Sequence, residues 1–445
     1  MTIPAVLTQR QAHKRTFALA WPMILSNITI PLLGLVDTAV IGHLDEAYYL
    51  GGVAVGSMII TFLMWMLGFL RMGTTALVAQ GHGADDIQAQ LRVLGQGLIL
   101  ALGLASALLV LQWPILHWGL PLAGGSDQVQ LYASQYFQIR IWGAPAALIN
   151  LVLLGFLLGR GQPKVAMWQL ILGNSLNIGL DLLFVMGFGW GVPGAAWASL
   201  CAEYGTMALA AYLVWRVLVA NRVERLPWSL NGLSRLVRLN RDIFLRTLCL
   251  QLCLSFVTIM GARLGDVVVA GNAVLMNFML VMAYALDGFA YSAEVEVGRA
   301  WGRVDRRRFV DAVTLGWFWS GLTALGFAAA FAVGGDGLIR LLTDLPPVQA
   351  HAQTYLPWVV VLPMMAFSCF LFDGVYIGAA QGAQMRNAML VSALGFFLLW
   401  WLTRDWGNHG LWLALNGFMA LRGITLAWHY HRYLKPEALR PVRGS

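Results

Sequence analysis

Gly52-Val53-Ala54-Val55 returns as Gly271-Asn272-Ala273-Val274, 219 positions further along a chain of 445 residues. At the same separation Gly42 meets Gly261, Leu67 meets Leu286, Gly83 meets Gly302 and Asp86 meets Asp305. Pro145 and Pro363 are 218 apart, as are Met167 and Met385; Gly191, Gly194 and Ala198 precede Gly407, Gly410 and Ala414 by 216. Any one match is chance-level, but a nearly constant offset along the whole chain is not. The chain is two similar halves, and most of what separates the matched positions is apolar. Duplicated apolar halves mark secondary transporters, whose substrate site lies where the repeats meet.

Hydrophobic residues make up 59% of the chain and charged residues 11%, against about 25% charged in a soluble domain. Such a chain cannot cover a water-exposed surface. Its apolar stretches each exceed the roughly 20 residues that span a bilayer as a helix, and the short alternating strands of a membrane barrel are missing. The pattern predicts an all-α polytopic membrane protein with twelve transmembrane helices in two pseudo-symmetric six-helix lobes. The first six spans are expected near 17–41, 51–79, 91–112, 131–159, 163–187 and 191–219, the second six near 243–265, 268–298, 309–333, 351–380, 386–403 and 407–430. This gives an N-lobe over 1–219, a connector over 220–241 and a C-lobe over 242–445. Trp228, Leu230, Leu233, Leu236 and Val237, interleaved with Arg235 and Arg238, make the connector read as a short interfacial amphipathic helix. The apolar run after Arg10, Lys14 and Arg15 is too long for a signal-peptide core, so it reads as a retained first helix.

Charge sets the orientation. With the N-terminus cytoplasmic, 23 of the 29 Lys and Arg fall inside and three outside, the latter being Arg263, Arg340 and Arg404. That split satisfies the positive-inside rule and places both termini in the cytoplasm of a bacterial inner membrane. It also accounts for the net charge of +8 through topology and anionic lipid contact. No basic, aromatic-laced soluble domain exists to hold nucleic acid.

Away from the basic clusters at the span ends, seven carboxylates stand out within the predicted spans: Asp37, Asp181, Glu203, Asp287, Glu294, Glu296 and Asp373. Arg71, Arg140 and Arg422 are the cations set among them. A charge near the bilayer centre costs at least about 2.5 kcal/mol on insertion scales, so such residues face a cavity or a partner. Three can be paired off, and those left over are proton acceptors or a cation site. Asp37 follows Pro31 and Gly34, and a titratable group beside a built-in bend reads as a protonation switch. Asn174, Asn177 and Asp181 make one face of span 5 polar, either a partner for another carboxylate or interhelical glue. Glu203, one turn from Ser199 in span 6, has an arginine pair as its alternative role. Tyr284, Asp287, Tyr291 and Glu294 share a face of span 8, where rings beside carboxylates suit an organic cation. Glu296, near a span end, is expected to pair with Arg299. Asp373 has no basic neighbour on its own helix. The positions matching Asp37 and Asp181 in the second half are not acidic, so the halves share a scaffold but not their charges.

Other patterns carry no chemistry. Gly189-Trp190-Gly191-Val192-Pro193-Gly194 fits G-x-G-x-x-G, but it joins two membrane helices rather than a strand and a helix, so it is a tight turn. No Walker A loop, H-E-x-x-H, G-x-S-x-G or metal-spaced Cys/His set occurs, which argues against a primary pump, an enzyme and a metal site. Cys201, Cys249, Cys253 and Cys369 read as small buried hydrophobes.

The run Pro22-Met23-Ile24 … Gly34-Leu35-Val36-Asp37-Thr38-Ala39-Val40-Ile41-Gly42 resembles helix 1 of multidrug and toxic compound extrusion (MATE) transporters, most of all the DinF type. Asn177-Ile178-Gly179-Leu180-Asp181, Gly194-Ala195-Ala196-Trp197-Ala198-Ser199, Ala285-Leu286-Asp287-Gly288 and Phe372-Asp373-Gly374 resemble the family's motifs in helices 5, 6, 8 and 10. The resemblance implies cation-coupled export of organic, often cationic or amphipathic compounds by alternating access, with no cofactor and a monomeric chain in the bilayer. It implies that Asp37, Asn177, Asp181 and Ser199 serve proton coupling, with helix 1 bending at Pro31 and Gly34. It further implies that Asp287, Glu294 and Asp373 match a C-lobe cation site of other branches. H⁺ is the expected coupling ion and Na⁺ the alternative, weakened by the lack of an acid between Ile243 and Gly265. A lipid-linked precursor flippase is the other transport reading.

Overall fold

The computed structural model describes residues 5–42, 47–123, 126–223 and 225–435, with the side chains of 5, 28, 30–42, 47, 122 and 123 outside the described set. Every long element among the described residues is helical: α1 (Arg10–Gly42), α2 (Ala47–Met66), α3 (Phe69–Gly83), α4 (Ile87–Ala123), α5 (Asp127–Arg140), α6 (Ala144–Gly159), α7 (Pro163–Asp181) and α8 (Gly191–Ala220) come first. The second half contributes α9 (Leu233–Leu264), α10 (Asp266–Gly302), α11 (Arg306–Leu342), α12 (Pro346–Gly378), α13 (Gly382–Thr403) and α14 (Asn408–His429). Counting α2 with α3 and α5 with α6 as single rods, ten helices among the described residues are long and apolar enough to cross a membrane. The two further predicted spans, α1 and α8, are helices of 33 and 30 residues. Large apolar side chains such as Trp113, Trp168, Leu394 and Trp401 stay exposed, as expected where the solvent is lipid.

Three spans are less regular than their sequence pattern. The second breaks between α2 and α3 at Leu67-Gly68. The fourth passes through a 3₁₀ turn at Ile141–Gly143, between α5 and α6. The fifth ends in a π-helical stretch, Leu182–Gly187, immediately after Asp181.

The connector is corrected. Residues 221–223 and 225–232 are not helical, and α9 starts at Leu233, so its first turns come from the segment expected to be a separate helix. The Gln96 amide donates to Ser229 O (3.1 Å) and Asn231 O (2.8 Å), so these carbonyls are engaged by a side chain instead of a helix. Gly232 has φ +87°, a conformation that stops a helix and that glycine adopts without strain. Arg235 then donates to Gln80 Oε1 at 2.7 Å. The cysteines differ too: Cys253 and Cys369 are buried, Cys249 is intermediate and Cys201 is exposed.

The chain forms two compact units, one of Leu25–Val237 and one of Met1–Ile24 with Arg238–Ser445. In the second unit the start of α1 lies against α10 and α11. Trp319 Nε1 donates to His13 Nδ1 at 2.9 Å, Phe17 meets Trp319 edge-on at 4.5 Å, and Gly288 leaves room for Ile24.

The repeat reappears inside each unit as a helix crossing. In the first unit, a Cβ on Gly155 would fall 2.7 Å from Arg71 O, and one on Gly159 would fall 2.7 Å from Thr75 O. In the second, Gly374 is closed in by Ala290 O and Gly378 by Glu294 O. All four pairs of positions (155 and 374, 159 and 378, 71 and 290, 75 and 294) are 219 apart. Gly-x-x-x-Gly lets two backbones touch, the usual way to hold helices together where no hydrophobic effect drives them.

Candidate functional site

In the first unit the buried stripe of α7 is Ala166, Gln169, Gly173, Asn177 and Asp181. Spacings of three and four put these on one helix face, which here is mostly polar. Gln169 Nε2 donates to Asn150 Oδ1 at 2.7 Å, and the absent side chain of Gly173 admits Thr206. The next residue, Asn174, donates through Nδ2 to Thr29 Oγ1 on α1 at 2.8 Å. Asn177 Nδ2 donates to Ser199 Oγ on α8 at 3.2 Å. Asn177 Oδ1 is buried and accepts nothing among the described residues. Asp181, 3% exposed, closes the helix just before the π turn. The arrangement brings together Asn174, Asn177 and Ser199, with Asp181 on the Asn177 face. The side chains of Asp37, Pro31 and Gly34 lie outside the described residues; the helix that carries them runs through all three positions.

Glu203 is held by Arg140, with Nη1 to Oε1 at 2.9 Å. The pair sits at the 3₁₀ break, where Glu203 Oε2 occupies the space a side chain on Gly143 would need. Arg71, just inside α3, has a buried Nη1 that donates to nothing among the described residues.

In the second unit, α10 presents Tyr284, Asp287, Tyr291 and Glu294 in order along one face. Asp287 is exposed and Tyr284 half-buried, whereas Tyr291 and Glu294 are 4% and 3% exposed. The face thus runs from open to enclosed. Glu296 pairs with Arg299 at 3.4 Å and with Arg15 at 3.7 Å.

Asp373 on α12 is gripped by two arginines from other helices. Arg246 of α9 and Arg422 of α14, the latter at 2.7 Å, both donate to its Oδ2. A reading of one helix at a time could not reveal this. With the seventh span expected to begin at 243, Arg246 groups with the connector charges; α9 begins ten residues earlier and carries it inward. The same extension places Asp242 inside α9, where Arg386 Nη1 meets its Oδ1 at 2.7 Å. Among the described residues no group of three or more His, Cys, Asp or Glu is placed to hold a metal.

A duplicated bundle of membrane helices with polar stripes and charges buried inside each half is the build of a secondary transporter. The family profile MatE matches residues 22–183 and 243–402. The chain is 47% identical over 427 residues to DNA damage-inducible protein F of Escherichia coli, covering 94% of this chain and 93% of that one. It is 27% identical over 461 residues to a protein named probable multidrug resistance protein NorM of Deinococcus radiodurans, covering 96% and 97%. The fold matches that of an outward-facing multidrug resistance MATE family transporter of the MOP superfamily, with a TM-score of 0.87 at 20% identity over 97% of each chain. The protein belongs to the MatE family of membrane transporters.

Proposed function

We propose that this protein exports organic, often cationic compounds in exchange for protons, from a bacterial inner membrane with both chain termini in the cytoplasm. The observation that carries the reading is the α7 stripe of the first unit. Asn177 Oδ1 is a buried acceptor without a donor among the described residues, and Asp181 follows one turn later. A buried acceptor left unsatisfied is costly, and a proton on a neighbouring carboxylate supplies the missing donor. Asp37, on the helix that Thr29 ties to Asn174, is the second member of the coupling site, with Pro31 and Gly34 as the bend that answers its protonation.

The cycle follows from differential affinity, since a ligand shifts an equilibrium only by binding two states unequally. With its carboxylates ionised, the protein holds a cation. Protons arriving at Asp37 and Asp181 remove that charge, α1 relaxes at its bend, and the cargo leaves. Deprotonation on the cytoplasmic side resets the site. Tyr284 and Asp287 are proposed to meet the cargo, because their part of the α10 face is open.

The test is ethidium efflux from proteoliposomes under a pH gradient or a Na⁺ gradient imposed separately. Efflux driven by pH alone, and lost in Asp37→Asn and Asp181→Asn, is the expected result. Efflux driven only by Na⁺ would move coupling to Asp287 and Glu294. Uphill efflux by Asp37→Asn under a pH gradient would overturn the mechanism.

A further inference from the structure

At the end of the second unit where α10, α12 and α14 begin, a chain of polar side chains joins all three helices. Trp412 Nε1 on α14 donates to Asn272 Oδ1 on α10 at 2.9 Å. Asn272 and Asn408 exchange a reciprocal pair of amide hydrogen bonds, at 2.7 and 2.9 Å. Asn408 Nδ2 then reaches Nε2 of His351 on α12 at 3.2 Å. Beside this chain, Trp358 Nε1 donates to His409 Nδ1 at 3.0 Å. The Tyr355 ring lies 4.6 Å from the His351 ring and 4.5 Å from that of His409. Asn272, Asn408 and Trp412 are buried, His351 is partly exposed and His409 is exposed.

The fold does not demand these groups. Gly271 admits the His351 ring as Gly52, 219 positions earlier, admits Tyr132. In that register Asn272, Tyr355 and Trp358 correspond to Val53, Tyr136 and Ile139. At the offset of 216, Asn408 and Trp412 correspond to Val192 and Ala196. These counterparts pack together in one apolar cluster of the first unit. One half fills the place with hydrocarbon, the other with a hydrogen-bonded chain that ends on a histidine.

The donors fix the direction of that chain. An indole only donates, so Asn272 turns its oxygen to Trp412 and its nitrogen to Asn408. Asn408 must then give its oxygen to Asn272 and its nitrogen to His351, whose Nε2 is left as the acceptor. Trp358 imposes the same role on His409 Nδ1. Both bonds require a neutral imidazole, and histidine is the side chain whose charge changes between about pH 5 and 8. A proton on His351 Nε2 sets N–H against N–H, and a buried donor without an acceptor is costly. Among the described residues neither ring forms an ion pair with the charged groups at this end, Asp266, Asp336, Arg340, Asp344, Arg404 and Asp405.

We propose that His351 is a proton-binding site that unlatches the starts of α10, α12 and α14, with His409 as its exposed neighbour. Neutral His351 closes the chain, and the imidazolium releases Asn408 and loosens the helix starts it ties. The latch stands apart from the α7 stripe of the first unit. With both termini in the cytoplasm, as proposed above, it faces the outside; only the side from which protons arrive rests on that reading.

The test is hydrogen–deuterium exchange of the full-length protein in nanodiscs at pH 5.5 and 7.5, corrected for chemical exchange and read at the first two turns of α10, α12 and α14. Acidification is expected to speed exchange there by about three- to tenfold, the order of one net hydrogen bond. His351→Gln should keep the slow exchange at both pH values, because the glutamine oxygen accepts from Asn408 and does not titrate. His409→Gln should leave the response of α10 in place, because Asn272 is tied to His351. Asn408→Asp should reverse the response, since its carboxylate accepts from the imidazolium. Should His351→Gln fail to fold, the wild type and Asn408→Asp decide. A wild type whose helix starts exchange alike at both pH values, or a response that survives His351→Gln, would refute the latch. The measurement uses neither a gradient nor a cargo, so a failure of the export reading leaves its outcome untouched.

Discussion

Glu203 and Gly143 show how one side chain fixes the choice of another. The carboxylate fills the space beside the 3₁₀ turn, so only glycine fits there, and Arg140 holds the carboxylate in place. The pair is partly accessible, with side chains 13% and 24% exposed. Its contribution therefore lies below the 3–5 kcal/mol lost when a fully buried pair is broken, at about 1–2 kcal/mol after screening. Arg140→Gln should lower the melting temperature in detergent by several degrees, and so should Glu203→Gln. The double variant should be less unstable than the two losses added, because neither charge is then left alone. Strict additivity would mean that the pair does not couple. Arg246 teaches the complementary lesson at this scale: its partner is distant in sequence, so its role was invisible until α9 and α12 were placed together.

At the scale of elements, the duplicated glycines give a sharper prediction. Gly374→Ala puts a methyl group against Ala290 O, a backbone atom that can yield only if α10 and α12 separate. Overpacking of this kind costs roughly 1–3 kcal/mol, more than the gain of up to about 1 kcal/mol from replacing a helical glycine with alanine. Gly155→Ala should behave alike against Arg71 O, as its counterpart in the repeat. Gly326 in α11 has nothing within 4 Å, so Gly326→Ala should be neutral or slightly stabilising. Thermal melts of the three variants check the ranking, and a destabilised Gly326→Ala would mean that propensity and space do not control it. Helix positions were legible in the sequence because apolar length and charge punctuation are local signals. The break at Leu67-Gly68 was not, since it lies inside an unbroken apolar run, and the 3₁₀ turn at Ile141–Gly143 was not, since no proline or turn residue marks it before Gly143. The connector misled for a related reason: its apolar and basic residues alternate as in an interfacial helix, but Gln96 and the positive φ of Gly232 decide its path.

Across the whole molecule, the repeat fixes where helices cross but not where charge sits. The first unit places an uncharged polar stripe and Asp181 on α7; the second places two arginines around Asp373 and an open Asp287 on α10. A symmetric scaffold with asymmetric charge divides labour, and we expect proton coupling and cargo recognition to separate by lobe. Ethidium, a permanent cation, should bind the wild type more weakly as pH falls, because protons neutralise the carboxylates that attract it. Asp181→Asn should flatten that pH dependence while leaving measurable ethidium binding. Arg246→Gln should leave the pH dependence of ethidium binding intact. Equilibrium binding of ethidium to the three proteins across pH 5 to 8 measures both effects together. If Arg246→Gln changed the ethidium profile as much as Asp181→Asn does, the two lobes would share one coupled charge system and the division of labour would fail.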